Sequence, residues 1–390
     1  MREIVVNKKA AKKVREFFPW VYKSDILTDL ESFDPGEMVK ALDEEGSFLA
    51  VGYINPKSTI TFRILSYRDE KIDDRHIHSR ILRALAKRKR AGLDTNACRL
   101  VHSEADFLPG LVVDRYEDYL SVMFLTAGIL RFKESIIDSL LNLIEPKGIY
   151  IQGEKSSLKK EGVEPFVETI GDIPDRIVIE EHGIKFYVDI KNAQKTGFYL
   201  DQRRNRKVVS DYIKQKDRVL DCFSNTGGFG LYAKVLKDAQ VRLVDISQDA
   251  MAMARENFAL NEVTGEFVVA NVFDYLRELR KSKERFDFII LDPPSFAKSK
   301  SKKSSALKGF KDITVNAMKL LEREGHIALF SCSHHIDMED LKNIVKEAAK
   351  DNKKVVEIEE LLYQDIDHPY ILNNEYSLYL KGLIFKFVDL

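Results

Sequence analysis

Up to about residue 65 the chain alternates short apolar runs with turns at Gly36, Gly46 and Tyr53-Ile54-Asn55-Pro56-Lys57-Ser58. Runs of this length, bounded by glycine, proline and asparagine, read as strands of a small barrel, here over 37–42 and 47–53. A helix is predicted over 77–90, with Ile81, Leu82 and Leu85 on one face and Arg80, Arg83, Lys87, Arg88 and Arg90 elsewhere. Strands follow over 97–102, 110–114 and 119–124, then a helix over 132–143 and strands over 148–152 and 184–189. From about residue 191 buried strand and amphipathic helix alternate. Strands are predicted over 218–221, 240–245, 266–270, 286–291 and 326–331, with helices such as 248–260 between them, the pattern of a doubly wound α/β sheet. The last two runs, 355–361 and 377–387, are joined by a loop too short for a parallel crossover and predict an antiparallel hairpin. Three segments result: β-rich 1–68, central α+β 69–190 led by the basic helix, and α/β 191–390.

Composition narrows the class. With 390 residues, 44% hydrophobic and 32% charged, the chain has ample material for several globular cores and no run of the roughly 18 apolar residues that a membrane span needs. The first residues show no apolar core for a secretion signal. Cys98, Cys222 and Cys332 lie far apart, without metal-ligand spacing or an even count for disulfides, so a reduced cytoplasm and no metal are expected. Lys plus Arg and Asp plus Glu balance at 62 each, so any argument for a polyanionic partner rests on local patches.

The polar residues at strand ends carry the candidate chemistry, because open α/β sheets bind ligands at the carboxyl ends of their strands. The first strand of the α/β segment ends in Asp221-Cys222-Phe223-Ser224-Asn225-Thr226-Gly227. A phosphate-binding loop would put glycine where Asp221 stands, and an acid there suits an ammonium group. Asp245, ending the second strand before Ile246-Ser247, is placed to accept both hydroxyls of a ribose, with Ile246 against adenine. Asn271-Val272-Phe273, after the third, offers an amide and an aromatic at the adenine edge. Each feature has a plainer reading, Asp245 as a helix cap for one. Together, on successive strand ends, they point to S-adenosylmethionine.

The fourth strand delivers Asp292-Pro293-Pro294-Ser295-Phe296 and the fifth Ser331-Cys332-Ser333. A carboxylate and a thiol side by side suit attack on a pyrimidine. Cytosine carbon 5 is a poor nucleophile until a thiolate adds at carbon 6. Cys332 fits the nucleophile, and Asp292 the acid that bonds the ring's polar edge; Asp292 and Pro293 would also border the cofactor. The alternative for Cys332 is a small buried hydrophobe, and packing is the expected role of Cys222 and Cys98.

The stretch after Asp292, 298–311, holds six lysines and no acid. It reads as a solvated loop hung from the catalytic strand, and Lys298, Lys300, Lys302, Lys303 and Lys311, with Arg203 and Arg206, are candidate RNA contacts.

These residues resemble the bacterial and archaeal 23S rRNA cytosine-C5 methyltransferases that carry an N-terminal PUA domain, over nearly the whole chain. Phe18-Pro19-Trp20-Val21-Tyr22, Gly36-Glu37-Met38-Val39 and Gly52-Tyr53-Ile54-Asn55-Pro56-Lys57-Ser58 look like that PUA domain. Leu108-Pro109-Gly110-Leu111-Val112-Val113-Asp114-Arg115-Tyr116 resembles its central domain. Lys195-Thr196-Gly197-Phe198-Tyr199-Leu200-Asp201-Gln202-Arg203 resembles the approach to its methyltransferase domain. Asp292-Pro293-Pro294-Ser295-Phe296, Gly309-Phe310-Lys311-Asp312 and Phe330-Ser331-Cys332-Ser333 resemble its catalytic half. The resemblance implies a small β-barrel PUA domain gripping RNA (1–68), a central α+β domain (69–190) and a Rossmann-like class I methyltransferase domain (191–390). It further implies 23S ribosomal RNA as substrate and Cys332 as nucleophile, with a homodimer left open.

Asn271 departs from the family, which usually carries Asp there, so the adenine contact falls to an amide oxygen. A sister family that methylates guanine nitrogen 7 has a similar Asp-Pro-Pro loop but no cysteine, and Cys332 favours carbon 5. Two other readings stay open: a base-nitrogen methyltransferase with Cys332 incidental, and an RNA-binding ribosome assembly factor with a vestigial cofactor pocket.

Overall fold

A computed structural model describes residues 1–192, 197–296 and 300–388, except for the side chain of Lys300. It divides into two compact units: Met1–Ile179 with Val188–Leu200 and Ile366–Ser377, and Glu180–Tyr187 with Asp201–Asp365 and Leu378–Leu390.

In the first unit, β1 (Arg2–Val5), α1 (Lys8–Arg15), β2 (Trp20–Tyr22), β3 (Glu37–Leu42), β4 (Phe48–Ile54) and β5 (Ile60–Ser66) build a five-stranded sheet in the order β1-β3-β4-β5-β2. β1 runs parallel to β3 and the other pairs are antiparallel. β4 is apolar on both faces because it lies between two cores. Leu49, Ala50 and Ile54 pack with Ile4, Val39 and Phe62, whereas Val51 and Tyr53 pack with Leu65, Ile77 and Leu111.

The second sheet of this unit follows α2 (Asp74–Ala91), which Asp73 caps and Gly92, in the left-handed region, ends. It contains β6 (Ala97–His102), β7 (Leu111–Tyr116), β8 (Tyr119–Phe124), β9 (Gly148–Gly153) and β10 (Phe166–Gly171), in the order β10-β9-β8-β7-β6. Between β8 and β9, the one parallel pair, run α3 (Ala127–Leu130) and α4 (Lys133–Ile144); α5 (Lys155–Glu161) precedes β10. Ile77, Ile81 and Ala84 of α2 and Ile136, Ile137 and Leu140 of α4 share one core. Arg88, expected on a basic face, is buried, paired with Asp106 at 2.7 Å and donating to the Asp367 carbonyl at 2.9 Å. β11 (Ile177–Glu181) and β12 (Ile184–Val188) form a two-stranded sheet.

The second unit contains α6 (Arg203–Tyr212), β13 (Arg218–Cys222), α7 (Gly228–Lys237), β14 (Gln240–Asp245), α8 (Gln248–Leu260), β15 (Glu266–Val269) and α9 (Val272–Ser282). It continues with β16 (Phe286–Leu291), α10 (Lys303–Met318), β17 (Leu321–Ser331), α11 (Met338–Asp351), β18 (Val355–Tyr363) and β19 (Lys381–Val388). Its seven-stranded sheet has the order β15-β14-β13-β16-β17-β19-β18. The first five strands are parallel and β19 is antiparallel to both β17 and β18. The expected hairpin is present, with β19 between β17 and β18. The central strands are buried on both faces, which explains their continuous apolar runs.

The lysine-rich stretch expected as a loop is largely helix, because Ala306, Phe310, Ile313 and Ala317 recur at helical spacing and enter the core. That apolar face outweighs the charge run. Among the described residues no helix is long and apolar enough to cross a membrane.

Candidate active site at the carboxyl edge of the parallel sheet

The chain leaves β13 toward β14 and β15 on one side and returns at β16 on the other. The crevice of such a sheet opens at this reversal, outside the carboxyl ends of β13 and β16. Asp221 sits at its floor, 1% exposed. Its Oδ2 accepts the Gly230 amide at 2.8 Å, and its Oδ1 is buried with no hydrogen-bond partner among the described residues. Burial pushes its carboxyl up to about 8; the Gly230 bond opposes this, and the charges of Asp292 and Asp245 add to it. Three carboxyl groups thus share one locality, and among the described residues no arginine or lysine acts on Asp221. A buried carboxyl short of a partner, with two more beside it, fits a ligand that carries a positive charge and hydrogen-bond donors.

The loop after β13 coils tightly, with Phe223, Asn225 and Gly227 all at positive φ (59°, 48° and 84°). Gly227 is required by packing as well: a Cβ there would stand 2.9 Å from the Leu243 side chain. Its smallness therefore serves the contact of α7 with β14. Asn257, fully buried on α8, donates to the Thr226 carbonyl at 2.9 Å and accepts the Tyr187 amide at 2.8 Å, pinning the loop. Ser224 Oγ is buried without a partner.

Asp245 ends β14 and holds two backbone amides, Asn225 on Oδ2 and Ser247 on Oδ1, both at 2.9 Å. The cap of α8 is Ser247, which accepts the Ala250 amide at 3.2 Å, so the plainer reading of Asp245 as the helix cap is set aside. Ile246, beside it, is 69% exposed. Asn271 is the cap of α9: its Oδ1 accepts the Phe273 amide at 2.9 Å, which engages the oxygen expected on adenine. Val272, also expected at the cofactor, turns its side chain into the core. The Phe273 ring packs against Phe223 (6.3 Å) and Phe296 (5.8 Å), and Phe296 against Phe310 (5.1 Å). An aromatic wall results, of which Phe223 and Phe273 were expected at the cofactor from the sequence.

Asp292 follows β16, where its Oδ2 accepts Gln202 Nε2 at 3.0 Å. Gln202 in turn accepts Asn205 Nδ2 at 2.6 Å. Pro293 is buried and Pro294 exposed. On the adjacent parallel strand β17, Ser331-Cys332-Ser333 ends at the same sheet edge, in the register Leu291–Leu329. Cys332 is partly exposed and Cys222 buried. Lys381 donates to the Ser333 carbonyl at 2.9 Å.

The expected RNA contacts require correction at two positions. Arg203 is 1% exposed and paired with Asp365 at 2.7 Å; Arg206 is 2% exposed and grips Glu181 through Nε (2.8 Å) and a terminal nitrogen (2.9 Å). Both are structural ion pairs, closed to phosphate. Lys303 pairs with Asp340 (2.6 Å) and Lys311 with Asp351 (3.0 Å), while Lys302 is exposed. Lys298 and the side chain of Lys300 lie outside the described residues, as do Lys195 and Thr196. Sequence reasoning missed the Gln202–Asn205 pair, Asn257 and Lys381. The spacing of Gln202 and Asn205 hints at a shared helical face; the other two carry no local signal.

Residues 4–67 match a family described as PUA-like domain, and residues 167–363 one described as S-adenosylmethionine-dependent methyltransferase. Ribosomal RNA large subunit methyltransferase I of Tolumonas auensis is 38% identical over 392 residues, covering 98% of both chains. The protein of that name from Vibrio cholerae is 38% identical over 388 residues, covering 96% of both. A crystal structure described as a methyltransferase complexed with SAH matches the fold with a TM-score of 0.87 at 22% identity, over 99% of this chain and 100% of that one. The fold, the carboxylate-lined crevice and these matches lead to one conclusion: the chain belongs to the S-adenosylmethionine-dependent methyltransferases, in the family of the ribosomal RNA large subunit methyltransferase I proteins.

Proposed function

We propose that this protein methylates carbon 5 of a cytosine in large-subunit ribosomal RNA, with Cys332 as the nucleophile. The observation that carries this reading is the placement of Cys332 and Asp292 at the ends of adjacent parallel strands, on the sheet edge that also holds Asp221 and Asp245. The relatives' name supplies the ribosomal RNA, and the PUA-like match supports an RNA substrate.

S-adenosylmethionine, when bound, supplies an electrophilic methyl group on a sulfonium. Asp221 would hold its ammonium group through Oδ1, and Asp245 its ribose hydroxyls through the lone pairs that Asn225 and Ser247 leave. The 223–227 backbone would line its amino-acid end, and Ile246 and Phe273 its adenine.

On the base side, Cys332 Sγ as thiolate forms a bond to carbon 6, and the electron pair of the 5,6 double bond builds at carbon 5. Asp292, held by Gln202 on one oxygen, bonds the polar edge of the ring as charge develops. Carbon 5 would take the methyl group as the methyl–sulfur bond breaks and its electron pair stays on sulfur, and then give its proton to a base; the double bond re-forms as the Sγ–carbon 6 bond breaks, returning the thiolate. The base must leave its stack to reach the thiol, so unpaired cytosines should react faster than paired ones.

RNA carrying 5-fluorocytosine tests the route, because fluorine cannot leave as a proton does. Wild-type protein should form a covalent RNA adduct. Cys332→Ala should lose both adduct and methyl transfer while still binding S-adenosylmethionine, and Cys98→Ala should keep both. Methylation by Cys332→Ala at the wild-type rate would replace this reading with base-nitrogen methylation.

A further inference from the structure

A buried lysine reaches the turn that carries Cys332. Lys381 opens β19 opposite Ser331 of β17, is 5% exposed, and donates from Nζ to the Ser333 carbonyl at 2.9 Å. Its neighbour Gly382 permits the approach: opposite Phe330, a Cβ there would fall 2.3 Å from the Phe330 ring. The two strands therefore close to a distance that brings Lys381 to the nucleophile's own turn.

A buried ammonium is costly unless it is hydrogen-bonded and near an anion. Among the described residues Lys381 forms no ion pair, and its one hydrogen-bond acceptor is the Ser333 carbonyl. The charged or titratable groups that act on it are Asp337, Cys332 and Asp340. The two carboxylates are engaged with each other's backbone amides in the capping box of α11, and Asp340 also with Lys303 at 2.6 Å. Cys332 is the third of these groups, and it lies one residue from the carbonyl that Lys381 holds.

We propose that Lys381 is a positioning residue that maintains Cys332 as the reactive thiolate, fixing its turn through the Ser333 carbonyl and setting a positive charge beside Sγ. This deepens the cytosine reading and rests on it for its purpose, though not for its test. Burial lowers the Lys381 ammonium to about 8, while Asp337, Cys332 and Asp340 pull it upward. The coupling is mutual: the charge that a thiolate lends to Lys381 is returned as stabilisation of that thiolate. Lys381 is charged below about pH 8 and loses its proton above it, so its help to the thiolate covers neutral pH and fades in alkali.

The test is the pH profile of Cys332 alkylation by iodoacetamide in the full chain, read by mass spectrometry of the Cys332 peptide. Wild type should inflect about one unit or more below the ordinary cysteine value of about 8.5. Lys381→Gln, which keeps an N–H for the carbonyl but no charge, should raise the inflection by about one unit or more, and Lys381→Arg should restore it. Lys381→Met serves if the Gln variant does not fold. A wild-type inflection at about 8.5 overturns the inference without any variant, as does an inflection that the uncharged substitutions leave unmoved. Neither RNA nor methyl donor enters the assay. A normal profile therefore defeats the role of Lys381 with cytosine methylation intact, and a low, Lys381-dependent profile supports it even if RNA trapping fails.

Discussion

Asp221 and Gly230 meet across the first turn of α7, the Gly230 amide on one carboxyl oxygen at 2.8 Å and, among the described residues, no hydrogen-bond partner on the other. The arrangement leaves the carboxyl protonated up to about pH 8 in the absence of a cation.

The pH dependence of cofactor affinity follows from that. An ammonium group favours the ionised carboxyl, so binding should release a proton, and affinity should rise as pH climbs toward 8. Calorimetry in buffers of different ionisation enthalpy reads the proton. Stability without ligand runs the other way: an acid whose folded value is raised from 3.8 to about 8 stabilises the fold below 3.8, and that contribution is lost as pH rises through about 8. Asp221→Asn should flatten that fall in stability and weaken cofactor binding by about tenfold or more. Equal affinity in wild type and variant would remove Asp221 from the cofactor.

Asp245→Ala should weaken S-adenosylmethionine by about tenfold or more, since hydrogen bonds to a charged acceptor contribute roughly 1.5–3 kcal/mol. It also strips an acceptor from the Asn225 and Ser247 amides, so the folded state is checked by circular dichroism. Unchanged affinity in the folded variant would end the ribose assignment.

Arg206→Met should destabilise the fold by about 3–5 kcal/mol, because it leaves Glu181 buried without its cation. The salt dependence of RNA binding should not change, since a guanidinium closed from solvent releases no counterion. Urea denaturation and a salt titration separate the two effects.

Lys302→Gln should reduce the slope of log affinity for RNA against log salt by up to about one, the effect of one phosphate contact. Lys303→Gln should reduce it less, because Lys303 is already spoken for by Asp340. An equal, unreduced slope in both variants would leave this stretch as a core helix with a solvated face.

Local pattern alone determined much of the fold. Apolar runs buried on both faces marked β13, β14, β16 and β17, and their polar ends marked Asp221, Asp245, Asp292 and Cys332, because a parallel sheet hides its strands and exposes only their termini. The closing hairpin was equally legible from its short connection. Charge misled where burial intervened. Arg203 and Arg206 read as basic surface, yet Asp365 and Glu181, distant in sequence, turn them inward. The lysine run read as loop, yet Ala306, Phe310 and Ile313 fold it as helix. Asn271, expected as a ligand contact, also caps α9 through its oxygen, a second role its sequence position did not announce. Lys381 could not be read at all: its position depends on β19 entering beside β17 and on Gly382 yielding to Phe330. Periodicity is a property of neighbouring residues and survives in the sequence, whereas the partner of a buried charge is chosen by contacts between distant segments, which exist only after the chain has folded.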